Sequence, residues 1–182
     1  MTLEEMKIKI YSLIEEYNEN EENLTEDEDL ALKMNSVINQ IQNELARFKK
    51  IPAHKVIEVT EGQEMKISEI DTNVYQLNLI KGIDADITDE TIIFNEDGKA
   101  RIYYYKYPTQ INTETPDDYK FELSTDVLEI MPYGVAGDLL KSDVSSNYGT
   151  IYSTRYREMI RELDPRYSMG SIVIDGGIDV WV

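Results

Sequence analysis

VLEIMPYGVAGDLLKSDVSSNYGTIYSTRYREMIREL, residues 127–163, is the stretch whose reading decides the fold. Leu128, Met131, Val135, Leu139 and Leu140 recur at three- and four-residue intervals. So do Tyr148, Ile151, Tyr152, Tyr156, Met159, Ile160 and Leu163. That is the period of a helix with one apolar stripe, not the alternation of a strand. Between the two runs lie Asp143, Ser145, Ser146 and Asn147, residue types that cap helix N-termini. The stretch therefore reads as two antiparallel helices on a short connection, the second spanning 147–163 and stopped by Asp164-Pro165. The first is expected over Asp126–Lys141, capped by Thr125. Proline costs about 3 kcal/mol in a helix interior, so Pro132 should kink this helix or force its start to near Met131.

Upstream, Leu3, Met6, Ile10, Leu13, Ile14 and Tyr17 mark one amphipathic helix, with acids and lysines on its other face. The polar run NENEENLTEDED follows, in which Thr25 and Glu28 form a capping box for a second helix over 26–49. Its apolar face carries Leu30, Met34, Val37, Ile38, Ile41, Leu45 and Phe48, and Pro52 stops it. From Lys55 the pattern changes to short β-rich runs. In TIIF-NEDG-KARIYYYKYP two of them flank Asn95-Glu96-Asp97-Gly98 and read as a hairpin, the glycine supplying a positive φ. Ile102 and Tyr104 fall on one face of the second run, Tyr103 and Tyr105 on the other. Residues 108–124 read as a connector. The expected fold is α+β: a four-helix bundle (1–54 and 108–168), an all-β insert of five or six strands (55–107) between helices two and three, and an extended C-terminal β arm (169–182).

Composition narrows the chemistry. The 182 residues are long enough to bury a core, and 41% apolar with 30% charged is ordinary for a globular chain. There is no cysteine, which removes disulfides, thiolate catalysis and cysteine metal sites. No apolar run reaches the roughly 18 residues of a transmembrane helix. The opening MTLEEMKIKI is acidic where a signal peptide is basic, so a cytoplasmic product is expected. The net charge of −18 disfavours binding to phosphate backbones, which needs clustered Lys and Arg. It is compatible with a polyanion sliding past.

No catalytic constellation emerges. His54 is the single histidine and has no nucleophile motif beside it. Asp84, Asp86, Asp89 and Glu90 lack the glycine and glutamate spacing of a calcium loop. Asp175-Gly176-Gly177 is a turn with no Lys or Ser following, not a phosphate cradle. Tyr103, Tyr104, Tyr105 and Tyr107 invite comparison with base-stacking platforms, but those come with basic grooves and this chain is acidic. A core and interface role is expected for them.

The succession of RFKKIP at the end of helix two, the IIFNEDGKARIYYYKYP hairpin, Phe121–Leu123, Met131-Pro132-Tyr133 with Ala136, Asp143–Asn147 and the Tyr156–Leu163 run resembles the head-to-tail connector (adaptor or neck) proteins of tailed bacteriophages. The resemblance spans most of the chain through structural motifs, none of them catalytic. It implies a structural virion component and not an enzyme, needing no cofactor and no metal. Such adaptors form a homo-oligomeric ring, commonly of twelve, that joins the portal protein to a tail-side neck protein and extends the DNA channel. DNA passes without specific binding and no membrane is involved. The expected location is the virion neck, and the host cytoplasm during assembly. The resemblance also implies that a C-terminal arm grips the portal or a neighbour, here through Ser171, Ile172, Val173, Ile174, Ile178, Val180 and Trp181. Asp84 and Asp86 are candidate lumen acids, as is the Glu15–Asp29 cluster. The alternative is an acidic DNA mimic, or another small protein-binding module.

Overall fold

A computed structural model describes residues 1–15, 28–142 and 147–163. Helices α1 (Leu3–Glu15) and α2 (Glu28–Phe48) are followed by strands β1 (Ile51–Val59), β2 (Glu64–Lys66), β3 (Val74–Lys81), β4 (Ala85–Ile87), β5 (Thr91–Phe94) and β6 (Gly98–Lys106). A single turn α3 (Thr125–Leu128), then α4 (Met131–Leu139) and α5 (Tyr148–Leu163), complete the described order.

The expected four-helix bundle with an all-β insert is not the architecture. The protein is a mixed α+β fold in which helices flank two three-stranded antiparallel sheets. Two physical reasons separate it from the expectation. First, the third helix is cut in two. Pro132 lies in the first turn of α4, where its missing N–H costs nothing. That leaves nine residues in α4, too few to run alongside the 21 residues of α2 as a bundle partner. Being apolar nearly all round, α4 is instead a buried hub, with Met131, Pro132, Val135 and Ala136 shut away from solvent. Second, residues 108–124 are not a passive connector: Ile111, Phe121 and Leu123 are buried in the same core as α1, α2 and α5.

Small residues set the spacing in the helical layer. A Cβ added at Gly137 would meet Ser153 Oγ at 2.7 Å and Ser153 N at 2.9 Å, and one at Gly134 would meet the Tyr156 ring at 2.8 Å. These glycines let α4 lie against α5 almost backbone to backbone. Asn39 on α2 clasps the 108–124 segment through its amide. Nδ2 donates to the Ile111 carbonyl and Oδ1 accepts from the Ile111 N–H, both at 2.8 Å. Buried Gln42 adds a bond from Nε2 to the Thr109 carbonyl at 3.1 Å.

The strands form two sheets. The long sheet has the order β1-β6-β3 and the short sheet β2-β5-β4. Asn95-Glu96-Asp97-Gly98 is therefore not a hairpin turn. It carries the chain from the short sheet to the long one, with Gly98 at φ +153°. Turn chemistry made the reversal legible, but partner choice was set elsewhere. β1 pairs with β6 over nine consecutive residues, from Ile51 opposite Lys106 to Val59 opposite Gly98. β3 takes the other edge of β6, leaving no room for β5. The β region begins at Ile51 rather than Lys55, and Pro52 is tolerated because β1 is an edge strand. His54 accordingly sits in β1.

The sheets face each other across one core: Val59, Ala100, Ile102 and Tyr104 from the long sheet against Ile92 and Phe94 from the short one. A joint ties this layer to the helices. Tyr75 Oη donates to the Ala46 carbonyl near the end of α2, Arg47 donates to Tyr107 Oη, and Lys106 pairs with Glu122.

Candidate interaction surfaces

The sequence candidates scatter. The arm residues Ser171, Ile172, Val173, Ile174, Ile178, Val180 and Trp181 lie outside the described residues, and so does most of the Glu15–Asp29 cluster. Asp84 and Asp86 are exposed and are held by a local network. Asn95 Nδ2 donates to Asp84 Oδ2 at 3.3 Å and to Asp86 Oδ2 at 3.2 Å, while the Asp84 N–H donates to Glu96 Oε1 at 2.8 Å. Among the described residues no group of three or more His, Asp or Glu side chains is placed to hold a metal ion. Nor is any described helix long and apolar enough to cross a membrane. His54 is exposed and lies opposite Tyr103, ring centroids 5.9 Å apart.

Three surfaces stand out by their geometry. A groove of about 430 Å³ runs between α1, α4 and α5, lined by Ile8, Leu13, Pro132, Tyr133 and Met159. Its polar lining is Ser12 and the Lys9–Glu129 ion pair at 2.8 Å. Ile8 is 60% exposed there and adds to the apolar wall of the groove.

The second surface is the outward side of the long sheet. Because Ile102 and Tyr104 point into the core, alternation turns Arg101, Tyr103 and Tyr105 outward. Register then sets Val56 and Lys81 beside Arg101, and His54 and Leu79 beside Tyr103. Cations lie over the rings: Lys50 Nζ 4.5 Å from the Tyr105 centroid, Lys81 Nζ 5.7 Å from Tyr103, and the Arg47 guanidinium 5.7 Å from Tyr107. Arg47, Lys50, Lys81 and Arg101 make no ion pair with any described carboxylate, in a chain holding 36 acids to 18 bases.

The third is the outward side of the short sheet. Ile92 and Phe94 are buried, so Ile93 turns outward between Glu64 and Asp86 on the flanking strands. Asp84, two residues before Asp86, shares that side, and Lys66 is the base among them.

The tyrosines divide by these faces. Tyr104 belongs to the core and donates through Oη to Asp71 Oδ2 at 3.0 Å. Burial, then the hydrogen bond to Asp71 and the Asp71 charge, push its phenol up. Burial also pushes the Asp71 carboxyl up, but the bonds it accepts from Tyr104, the Asn73 N–H and Thr72 outweigh this and hold it below its ordinary value. Glu122 behaves alike: burial raises it, and Lys106 and Thr109 together bring it down. The basic character of the outward tyrosine face was invisible in the sequence because its cations come from α2, the link between α2 and β1, β3 and β6. Only strand register brings them together.

Comparison with known proteins adds no relative: no protein-family model matches the chain, and no curated protein is significantly similar to it.

Proposed function

We propose that this chain is a structural subunit of a tailed-phage neck, one of a ring of copies that joins portal to tail and extends the DNA channel. The apolar groove between α1, α4 and α5 carries the proposal: it is concave, open, and lined by side chains suited to receive another polypeptide. It holds one ion pair and a serine where an enzyme would gather several convergent titratable groups. Exposed large apolar side chains also occur on both layers, with Ile8, Leu32 and Ile151 on the helices and Val56, Leu79 and Ile87 on the strands. A subunit with neighbours on several sides needs such surfaces. The acidic composition suits a passage to which DNA must not adhere. The unpaired cations on the long sheet weigh against the DNA-mimic alternative, which would have no use for them.

The test is the location of the chain. Labelled copies should appear at the necks of finished particles by electron microscopy, and deleting Ser171–Val182 should abolish incorporation. Absence from virions, or turnover of a substrate by the purified protein, would end the proposal. Normal particle yield from the truncated chain would remove only the role of the arm.

A further inference from the structure

The two sheets turn surfaces of opposite character away from their shared core. On the long sheet, Lys50, Lys81 and Arg101 stand among Tyr103, Tyr105 and Leu79, the last 44% exposed. On the short sheet, Glu64, Asp84 and Asp86 surround Ile93, and Asn95 bonds both aspartates and keeps them side by side. Packed sheets lie about 10 Å apart, while charges are screened over about 8 Å at physiological ionic strength. An approaching surface therefore responds to the face in front of it more than to the net charge of −18. Neither set of charges is neutralised at home. None of these three bases and none of these three acids makes an ion pair among the described residues, although eight such pairs occur elsewhere.

We infer that copies of this chain meet head to tail, the tyrosine-rich cationic face of the long sheet of one copy receiving the acidic face of the short sheet of the next. The composition of the receiving face fits this occupant better than a nucleic acid. Tyr and Arg with an exposed Leu and Val is the make-up of a protein interface core. A strand of nucleic acid needs a longer run of phosphate contacts than these three separated cations supply. Because the faces are different surfaces on opposite sides of the sandwich, the contact is heterologous and propagates from copy to copy, closing into a ring when the rotation per copy permits. The inference rests on the neck proposal only for that closure. Its chemistry stands on the two faces. It also reassigns Asp84 and Asp86 from channel lining to subunit contact.

The experiment uses the full chain and two charge-reversed variants at exposed positions, Lys81→Glu with Arg101→Glu, and Asp84→Lys with Asp86→Lys. In sedimentation at physiological ionic strength the wild type should associate, and further salt should dissociate it. Each variant alone should associate roughly tenfold more weakly or not at all. An equimolar mixture of the two should recover association, since each then offers the face the other needs. A wild type that stays monomeric at every salt and concentration, a variant that associates like the wild type, or a mixture that stays dispersed would overturn the inference. If a reversal prevents folding, Lys81→Gln with Arg101→Gln decides by the same loss of salt-sensitive association. Binding of an oligothymidylate probe that Lys81→Glu with Arg101→Glu abolishes, without self-association, would also overturn it in favour of nucleic acid. Reversed variants that still build normal necks would sink this contact and leave the neck proposal standing. Salt-sensitive pairing of a chain absent from virions would do the opposite.

Discussion

The helical layer and the strand layer are held together by different means. Helices α4 and α5 touch almost without clearance at Gly134 and Gly137, and Asn39 grips the backbone of Ile111 through both amide atoms. This layer is specified by close approach and by one half-buried polar clasp. The strand layer has a smaller core, built around Phe94, Ile92 and Ile102, and each of its sheets covers that core with one face only. Its other two faces carry exposed charge, half-buried aromatic side chains and aliphatic ones that are exposed or half-buried. The difference separates tasks: the helices determine the shape, and the strands hold charged side chains that make no ion pair among the described residues.

The sharpest way to break that comparison is to hollow the smaller core. Phe94 is fully buried, and Phe94→Ala should cost about 4 kcal/mol. Chemical denaturation checks a further point. The Tyr75–Ala46, Arg47–Tyr107 and Lys106–Glu122 contacts join the layers, so one cooperative transition is expected to move as a whole. Two transitions, with only one displaced, would show that the layers unfold independently.

Next in size is overpacking of the helical layer. Gly137→Ala drives a methyl group into the backbone nitrogen of Ser153, which cannot rotate away, and should cost about 3 kcal/mol in the same measurement. A loss below about 1 kcal/mol would mean that α4 and α5 can separate freely and that close approach is not what specifies this layer. Asn39→Ala should follow at about 2 kcal/mol, since it removes three hydrogen bonds and strands the Ile111 N–H and carbonyl. Asn39→Asp should recover part of this by keeping the acceptor.

The smallest expected effect is on pH dependence. The folded Asp71 carboxyl sits below its ordinary 3.8, so its contribution to stability is present above that value and is lost as pH falls through the folded value. Tyr104→Phe removes a hydrogen bond that holds the carboxyl down, and should flatten this part of the acid limb in thermal melts taken between neutral pH and about pH 2. An acid limb of unchanged slope would place the titration elsewhere.

Much of the local structure was legible because it depends on local chemistry. The 3.6-residue period located α1, α2 and α5 to within a few residues at their described ends. The cost of a buried proline left two outcomes, a kink at Pro132 or a start near Met131, and α4 takes the second. Alternation in β6 separated Ile102 and Tyr104 from Tyr103 and Tyr105, and the structure buries the first pair deeper than the second. The interaction surfaces were not legible in that way. A core and interface role was expected for the tyrosine run, but the cations around it were not foreseen, because net charge is a sum over all surfaces and says nothing about any one of them. Asn39 and Gln42 were passed over because a polar residue on a helix looks solvated until the segment that covers it is known.

By itself, then, the order of residues determined where the chain is helical, where it is extended and where it turns. These depend on backbone preference and on apolar spacing within about a dozen neighbours. Tertiary structure alone decided that Phe94 and Gly98 belong to different sheets, that α4 is a hub and not a bundle partner, and that Lys50, Lys81 and Arg101 share one face. Partner choice between strands is a competition among distant segments for the same hydrogen-bonding edge, and β1 and β3 win β6 through registers that no local window contains.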